Sequence, residues 1–264
     1  FFKMLKQLDK NVIKTFNDLY NLPSSIEINK WNREKHVNII ARDRVGLKNM
    51  FKLISYASTK YLVKSPRIPR RLIDSHREGL LIGSGCYNGE IFNTALTRCD
   101  KDLERVMEFY DYIEVQPPSN YTHLVARHDI NTNEEVIYAL NKIINCAKKA
   151  NKLIVATSDA HTINKEDKIY REIIVHQNVP GKGRHPLARY LNMDSYNTIP
   201  DQYFRTTDEM LEEFNFLDEE TRNDIVINNT NKIADMCEFY EVIIDTGGIP
   251  FSPKIDNSIK TVID

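Results

Sequence analysis

The sequence predicts an α/β fold built on a parallel sheet. Three observations point there. Between residues 37 and 161, short β-rich runs alternate with helix-spaced segments, the pattern of strands joined by crossover helices. The run Leu153-Ile154-Val155-Ala156-Thr157 is apolar throughout, as a strand buried on both faces must be. It ends in Ser158-Asp159-Ala160-His161, and parallel α/β folds collect their functional groups at the carboxyl ends of strands.

Taken in order, Phe1 to Asn21 has helical spacing of Leu, Val, Ile and Phe and stops near Leu22-Pro23. A polar stretch to about residue 35 reads as a linker. Val37 to Ala41 is β-rich, Arg42 to Gly46 reads as a turn, and Leu47 to Tyr61 as an amphipathic helix. Proline restricts its neighbours in Ser65-Pro66-Arg67-Ile68-Pro69, which is expected to be extended. Gly79 to Ser84 is a strand that opens into the glycine-rich Gly83-Ser84-Gly85-Cys86. Helices are expected over Gly89 to Leu96 and Lys101 to Phe109, a strand over Tyr112 to Gln116, and a long helix over Asn133 to Ala150. After His161 the pattern changes. Asn178 to Thr198 is rich in Gly, Pro, Asn and Arg and reads as a long surface loop. Thr206 is placed to cap a helix, with Glu209 at the capping-box position. A helix over Asp218 to Cys237 and an extended tail from Gly247 complete the chain.

Composition sets bounds on function. The 264 residues can bury a substantial core in one large or two small domains. With 36 basic against 37 acidic residues, nothing global argues for a nucleic-acid or membrane surface. No stretch approaches the roughly 18 apolar residues of a membrane span. Cys86, Cys99, Cys146 and Cys237 have no paired spacing, which argues for reduced thiols and a cytoplasmic setting. The chain starts without Met inside a helical pattern, so a fragment of a longer protein is expected.

Asp159 and His161 stand on one side of a strand end, and both suit a hard or borderline divalent cation. Cys86 follows another strand, and with His36 the four make a borderline-metal donor set. Each has a plainer reading. Asp159 fits a helix cap, His161 a surface loop, and Cys86 a small buried hydrophobe. His36 precedes its strand and so stands at the wrong end for a parallel sheet. Glu114 ends a strand and could face the same site or pair with a lysine. His76, His123, His128, His176 and His185 sit in polar stretches and read as solvated. The residues from Gly83 to Gly89 lack the Lys and Ser/Thr of a P-loop. Arg67, Arg70 and Arg71, and Lys182, Arg184 and Arg189, form small basic clusters that suit a phosphate backbone or an ordinary exposed loop.

Several blocks resemble one family in the same order: His36 to Ala41, Val45 to Leu53, Pro66 to Pro69, Glu78 to Cys86, Tyr112 to Pro118, Val155 to His161, and Tyr203 to Leu211. They are similar to the alpha subunit of bacterial DNA polymerase III, PolC type, in its PHP (polymerase and histidinol phosphatase) domain. The resemblance implies the C-terminal part of a distorted (β/α)7 barrel followed by a helical segment. It implies that residues 1–22 end a 3′–5′ exonuclease domain, 23–35 are a linker, 36–245 are PHP, and 246–264 lead to the polymerase palm. It implies His36, Cys86, Asp159 and His161 as metal ligands for Zn²⁺ or Mn²⁺, with Glu114 near the site and the remaining ligands upstream. No catalytic residue of the polymerase or exonuclease is expected in this chain. The implied parent is a DNA-directed DNA polymerase using Mg²⁺, with DNA and replisome subunits as partners and no membrane. A metal-dependent phosphoesterase of the PHP family is the competing expectation. Ser158 and Ala160 stand where Gly and Val are usual, and residues 179–192 lack the usual Gln-Gly-Gly run.

Overall fold

The computed structural model describes residues 35–62, 66–179, 183–184, 199–242 and 247. The helix expected over Phe1 to Asn21, most of the linker, most of the loop after Asn178 and nearly all of the tail lie outside these residues.

Four strands form one sheet in sequence order: β1 Asn38–Ala41, β2 Leu80–Gly83, β3 Tyr112–Val115 and β4 Leu153–Ala156. β2, β3 and β4 are parallel, with Tyr112 opposite Leu153 and Val115 opposite Ala156. β1 runs antiparallel to β2, pairing Asn38 with Gly83 and Ala41 with Leu80. The architecture is therefore mixed α/β, with the expected parallel strands and one reversed edge. The reversal carries the start of β1 to the carboxyl end of β2, so His36 stands at the correct rim after all.

β2 and β3 are buried at every position, because helices cover both faces of the sheet. On one face Leu80, Ile82, Ile113, Val115 and Ile154 join the main core. That core is completed by α3 (Glu90–Thr97), α4 (Asp100–Met107) and α6 (Asn133–Lys149), through Ile91, Leu103, Met107, Leu140 and Ile143. Burying each such side chain contributes about 1.5–3 kcal/mol. The other face carries Leu81, Tyr112 and Val155, packed by Ile233 and Cys237. Ile233 lies on α10 (Asn229–Asp235), and Asn229 donates to the Ile154 carbonyl at 2.9 Å. That bond occupies a carbonyl of β4, the edge strand of the sheet, and the contact is buried.

Residues 42–46 are not a free turn. Asp43 caps α1 (Arg44–Ser58), accepting from the Gly46 amide at 2.7 Å, so the helix starts earlier than its apolar spacing suggests and ends at Ser58. Three short helical pieces have no sequence signal strong enough to predict them: α2 (Arg70–Asp74), a 3₁₀ turn Pro118–Tyr121 running into α5 (Thr122–Ala126), and α7 (Lys168–His176). Within the expected loop, Asn178–Val179 and Gly183–Arg184 pair as a two-stranded antiparallel ribbon. Thr206 and Glu209 form the expected capping box on α8 (Thr207–Glu213). The helix expected from Asp218 becomes α9 (Glu219–Asn223), a π turn (Asp224–Asn228) and α10. Among the described residues no helix is long and apolar enough to cross a membrane.

Gly46 lies where α1 meets the turn before β2. A Cβ there would stand 1.8 Å from the Gly79 carbonyl oxygen. In an open helix Gly→Ala gains about 1 kcal/mol. Here Gly46→Ala is expected to lose roughly 1–3 kcal/mol instead, read as a lower urea midpoint.

Candidate metal centre

The carboxyl rim of the sheet is organised by Glu114, a buried carboxylate. Asn38 on β1 donates its Nδ2 to both Glu114 oxygens at 2.8 Å. The Gly85 amide after β2 reaches Oε1 at 3.2 Å, and the Thr157 hydroxyl after β4 reaches Oε2 at 3.2 Å. One side chain thus joins the ends of all four strands. Gly83 makes the room: a Cβ there would fall 2.4 Å from Glu114 Oε1 and 2.3 Å from the Tyr112 ring. Burial pushes the Glu114 carboxyl up from the usual carboxylate range; its three donors oppose the shift, and the charge of Asp159 adds to it. Tyr112 is also pushed up, by burial first and then by the neighbouring Glu114 charge.

His36 and Cys86 meet beside this carboxylate, with Nδ1 and Sγ 3.2 Å apart. The His36 amide donates to the Asn88 carbonyl at 3.2 Å, and His36 forms a parallel bridge to Gly89. Half-burial raises the Cys86 thiol above its ordinary range, opposed by Asn88 and reinforced by the charges of Asp159 and Glu114.

Asp159 and His161 form a second group after β4. Asp159 takes a left-handed backbone conformation with φ of 49°, which Asp tolerates better than most residues. His161 Nδ1 donates to the Asp159 carbonyl oxygen at 2.7 Å, which in the neutral ring leaves the Nε2 lone pair facing outward. The His161 side chain is 47% exposed and that of Asp159 29%. Asp159 does not cap a helix: α7 starts at Lys168, after a 3₁₀ turn capped by Asn164.

The structure thus brings His36 to Cys86 and holds Asp159 close enough for its charge to act on Cys86 and Glu114. The donor chemistry fits a borderline divalent cation. Among the described residues, however, no group of three or more His, Cys, Asp and Glu is placed to hold one ion between them. The arrangement is two donor pairs around a central carboxylate whose oxygens are already engaged.

Sequence reasoning missed His123. Expected in solvent, it is 1% exposed, edge-on to Tyr87 at 4.6 Å between ring centres. Neither ring nitrogen has a hydrogen-bond partner. The signal was its place between Tyr121 and Leu124, both buried, where the 3₁₀ turn passes into a short helix and carries His123 inward. Burial, then the Arg127 charge, lowers its pKa from 6.5 to about 4.

With this geometry in hand, the similarities to other proteins are informative. Residues 8–118 match the PHP domain family. Along nearly its whole length the chain is also similar to proteins called DNA polymerase III PolC-type. Identity is 35% over 262 residues with the Oceanobacillus iheyensis protein and 38% over 262 residues with the Staphylococcus saprophyticus protein, 99% of this chain and 17% of the relative in both cases. It is 39% over 230 residues with the Halalkalibacterium halodurans protein, 87% of this chain and 15% of that relative. The chain spans only 15–17% of the length of these relatives.

Two outcomes follow. Asn38→Ala removes the donor shared by both Glu114 oxygens and raises the carboxyl further, so it is expected to cost about 1–3 kcal/mol in the ionised state and less once Glu114 is protonated. Urea melts are expected to show the larger loss at high pH and a smaller one as pH falls and Glu114 takes up its proton. His123 is depressed, so its contribution is fully present above about pH 6.5 and is lost as pH falls through about 4, a range on the order of 3 kcal/mol. His123→Leu is expected to flatten that acid limb while holding stability at neutral pH.

Proposed function

We propose that this chain is the PHP portion of a PolC-type replicative DNA polymerase, in which a divalent cation at the carboxyl rim braces the module more than it drives chemistry. The observation that carries the reading is the 35–39% identity, along up to 99% of the chain, to PolC-type relatives. Residues 36–245 form the C-terminal part of a distorted (β/α)7 PHP barrel. On this reading residues 1–22 end the exonuclease, 23–35 link the two and 246–264 lead to the palm; the PHP family match, which begins at residue 8, overlaps the first two of these segments. The whole polymerase would act on DNA in the cytoplasm with other replisome subunits, using Mg²⁺ for nucleotidyl transfer.

Within the module, His36, Cys86, Asp159 and His161 are the proposed ligands. Cys86 and the histidines favour Zn²⁺ on softness, with Mn²⁺ as the alternative. His36 and Cys86 come from different strand ends, so an ion held between them would couple metal binding to sheet integrity. Glu114 is the carboxylate beside the donors, but Asn38, Gly85 and Thr157 already engage its oxygens. We assign it to holding the rim.

The exposure of Asp159 and His161 favours a second reading, a metal-dependent phosphoesterase, because an open donor pair is accessible to a substrate phosphate. Metal analysis, thermal melts and phosphoesterase assays on the complete polypeptide separate the two. Bracing predicts that Asp159→Ala and His161→Ala lose metal and melt lower, with no phosphoesterase activity in the parent. Metal-dependent phosphate release by the parent, abolished in both variants, would establish the phosphoesterase.

A further inference from the structure

Gln202 holds the Asp159–His161 loop from outside it. Gln202 is 4% exposed and follows Pro200 in the segment leading to α8. Its Nε2 donates to Asp159 Oδ2 at 2.6 Å, and its Oε1 accepts from Arg171 Nη1 on α7 at 2.6 Å. Its backbone carbonyl accepts from the His161 amide at 2.7 Å and the Thr162 amide at 3.1 Å. Phe204 returns a bond to the Thr162 carbonyl at 2.9 Å, and Thr162 bridges Tyr203 in parallel.

The orientation of the amide follows from chemistry. A guanidinium only donates and a carboxylate only accepts, so the oxygen faces Arg171 and the nitrogen faces Asp159. The backbone of residue 202 fixes where the loop lies, and its side chain fixes which way the Asp159 carboxylate turns. One Asp159 oxygen is engaged by the amide, and the other is not drawn into that bond.

We propose that Gln202 is the positioning residue of the Asp159–His161 donor pair, with Arg171 setting its orientation. The inference rests on the reading of Asp159 as a metal ligand. A ligating carboxylate is commonly oriented by a hydrogen bond from a neighbouring group, and losing that group costs about 10- to 100-fold in metal affinity. Gln202→Met keeps the length of the side chain and leaves the backbone carbonyl in place.

Zn²⁺ and Mn²⁺ titrations of the complete polypeptide, with circular dichroism to confirm folding, give the test. Gln202→Met is expected to weaken binding by about 10- to 100-fold. Arg171→Met is expected to weaken it by a smaller factor, and the double variant to match Gln202→Met alone, because both substitutions break one relay. Wild-type binding that Gln202→Met leaves unchanged overturns the positioning role and spares the metal reading. So does a double variant whose losses simply add. A wild-type polypeptide that binds neither ion removes the metal reading and this inference with it. If Gln202→Met does not fold, Arg171→Met decides, and unchanged affinity there overturns the proposal.

Discussion

The rim of this sheet depends on one buried carboxylate. Glu114 accepts from Asn38, Gly85 and Thr157, groups that belong to the first strand, the turn after the second and the end of the fourth. A buried charge is expensive unless it is hydrogen-bonded, and these donors offset much of the cost. The same bonds set the spacing of the strand ends on which His36, Cys86 and Asp159 stand. Gly83 and Tyr112 serve this arrangement too, the glycine by leaving space and the tyrosine by closing the flank. Burial and the nearby Asp159 keep the carboxyl raised.

A second buried charge fastens the C-terminal helices. Arg205 is buried, pairs with Glu213 at 3.1 Å, and donates to the Ser119 hydroxyl at 2.8 Å and the Asp201 carbonyl at 2.6 Å. Ser119 in turn donates to Glu213 at 2.6 Å. The turn after β3, the segment around Gln202 and α8 are thereby locked together. Breaking such a pair by removing one partner leaves an uncompensated charge inside the protein. Both ionic centres lie on the side of the sheet where its parallel strands end.

Much of the fold was legible because local and tertiary signals agreed. The four strands, α3, α4, α6 and the Thr206–Glu209 capping box follow from apolar runs, periodicity and cap chemistry. The short pieces α2, α5 and α7 were not legible, because one or two turns give too little periodicity to stand against a polar background. The direction of β1 was hidden as well, since strand orientation leaves no mark in a four-residue run. That single unknown made His36 look misplaced. At the rim, the places of Cys86 and Asp159 just after strands were readable from the apolar runs that precede them. Their partners were not: Asn38, Gln202 and Arg171 are ordinary polar residues until the chain folds them onto the rim. His123 misled for the converse reason, as a polar sequence context hid a buried ring.

The reversed first strand has a mechanical consequence. The chain enters the sheet at the rim that holds the donors, with His36 only two residues before the first sheet pair, Asn38 opposite Gly83. A force drawing the chain back out of the sheet at this point meets the His36–Asn88 bond and the His36–Cys86 contact before any rung of the β1–β2 ladder. The His36–Cys86 contact is thus the outermost link on this strand, ahead of the ladder itself. The rim is therefore the place where tension from the preceding chain is felt earliest.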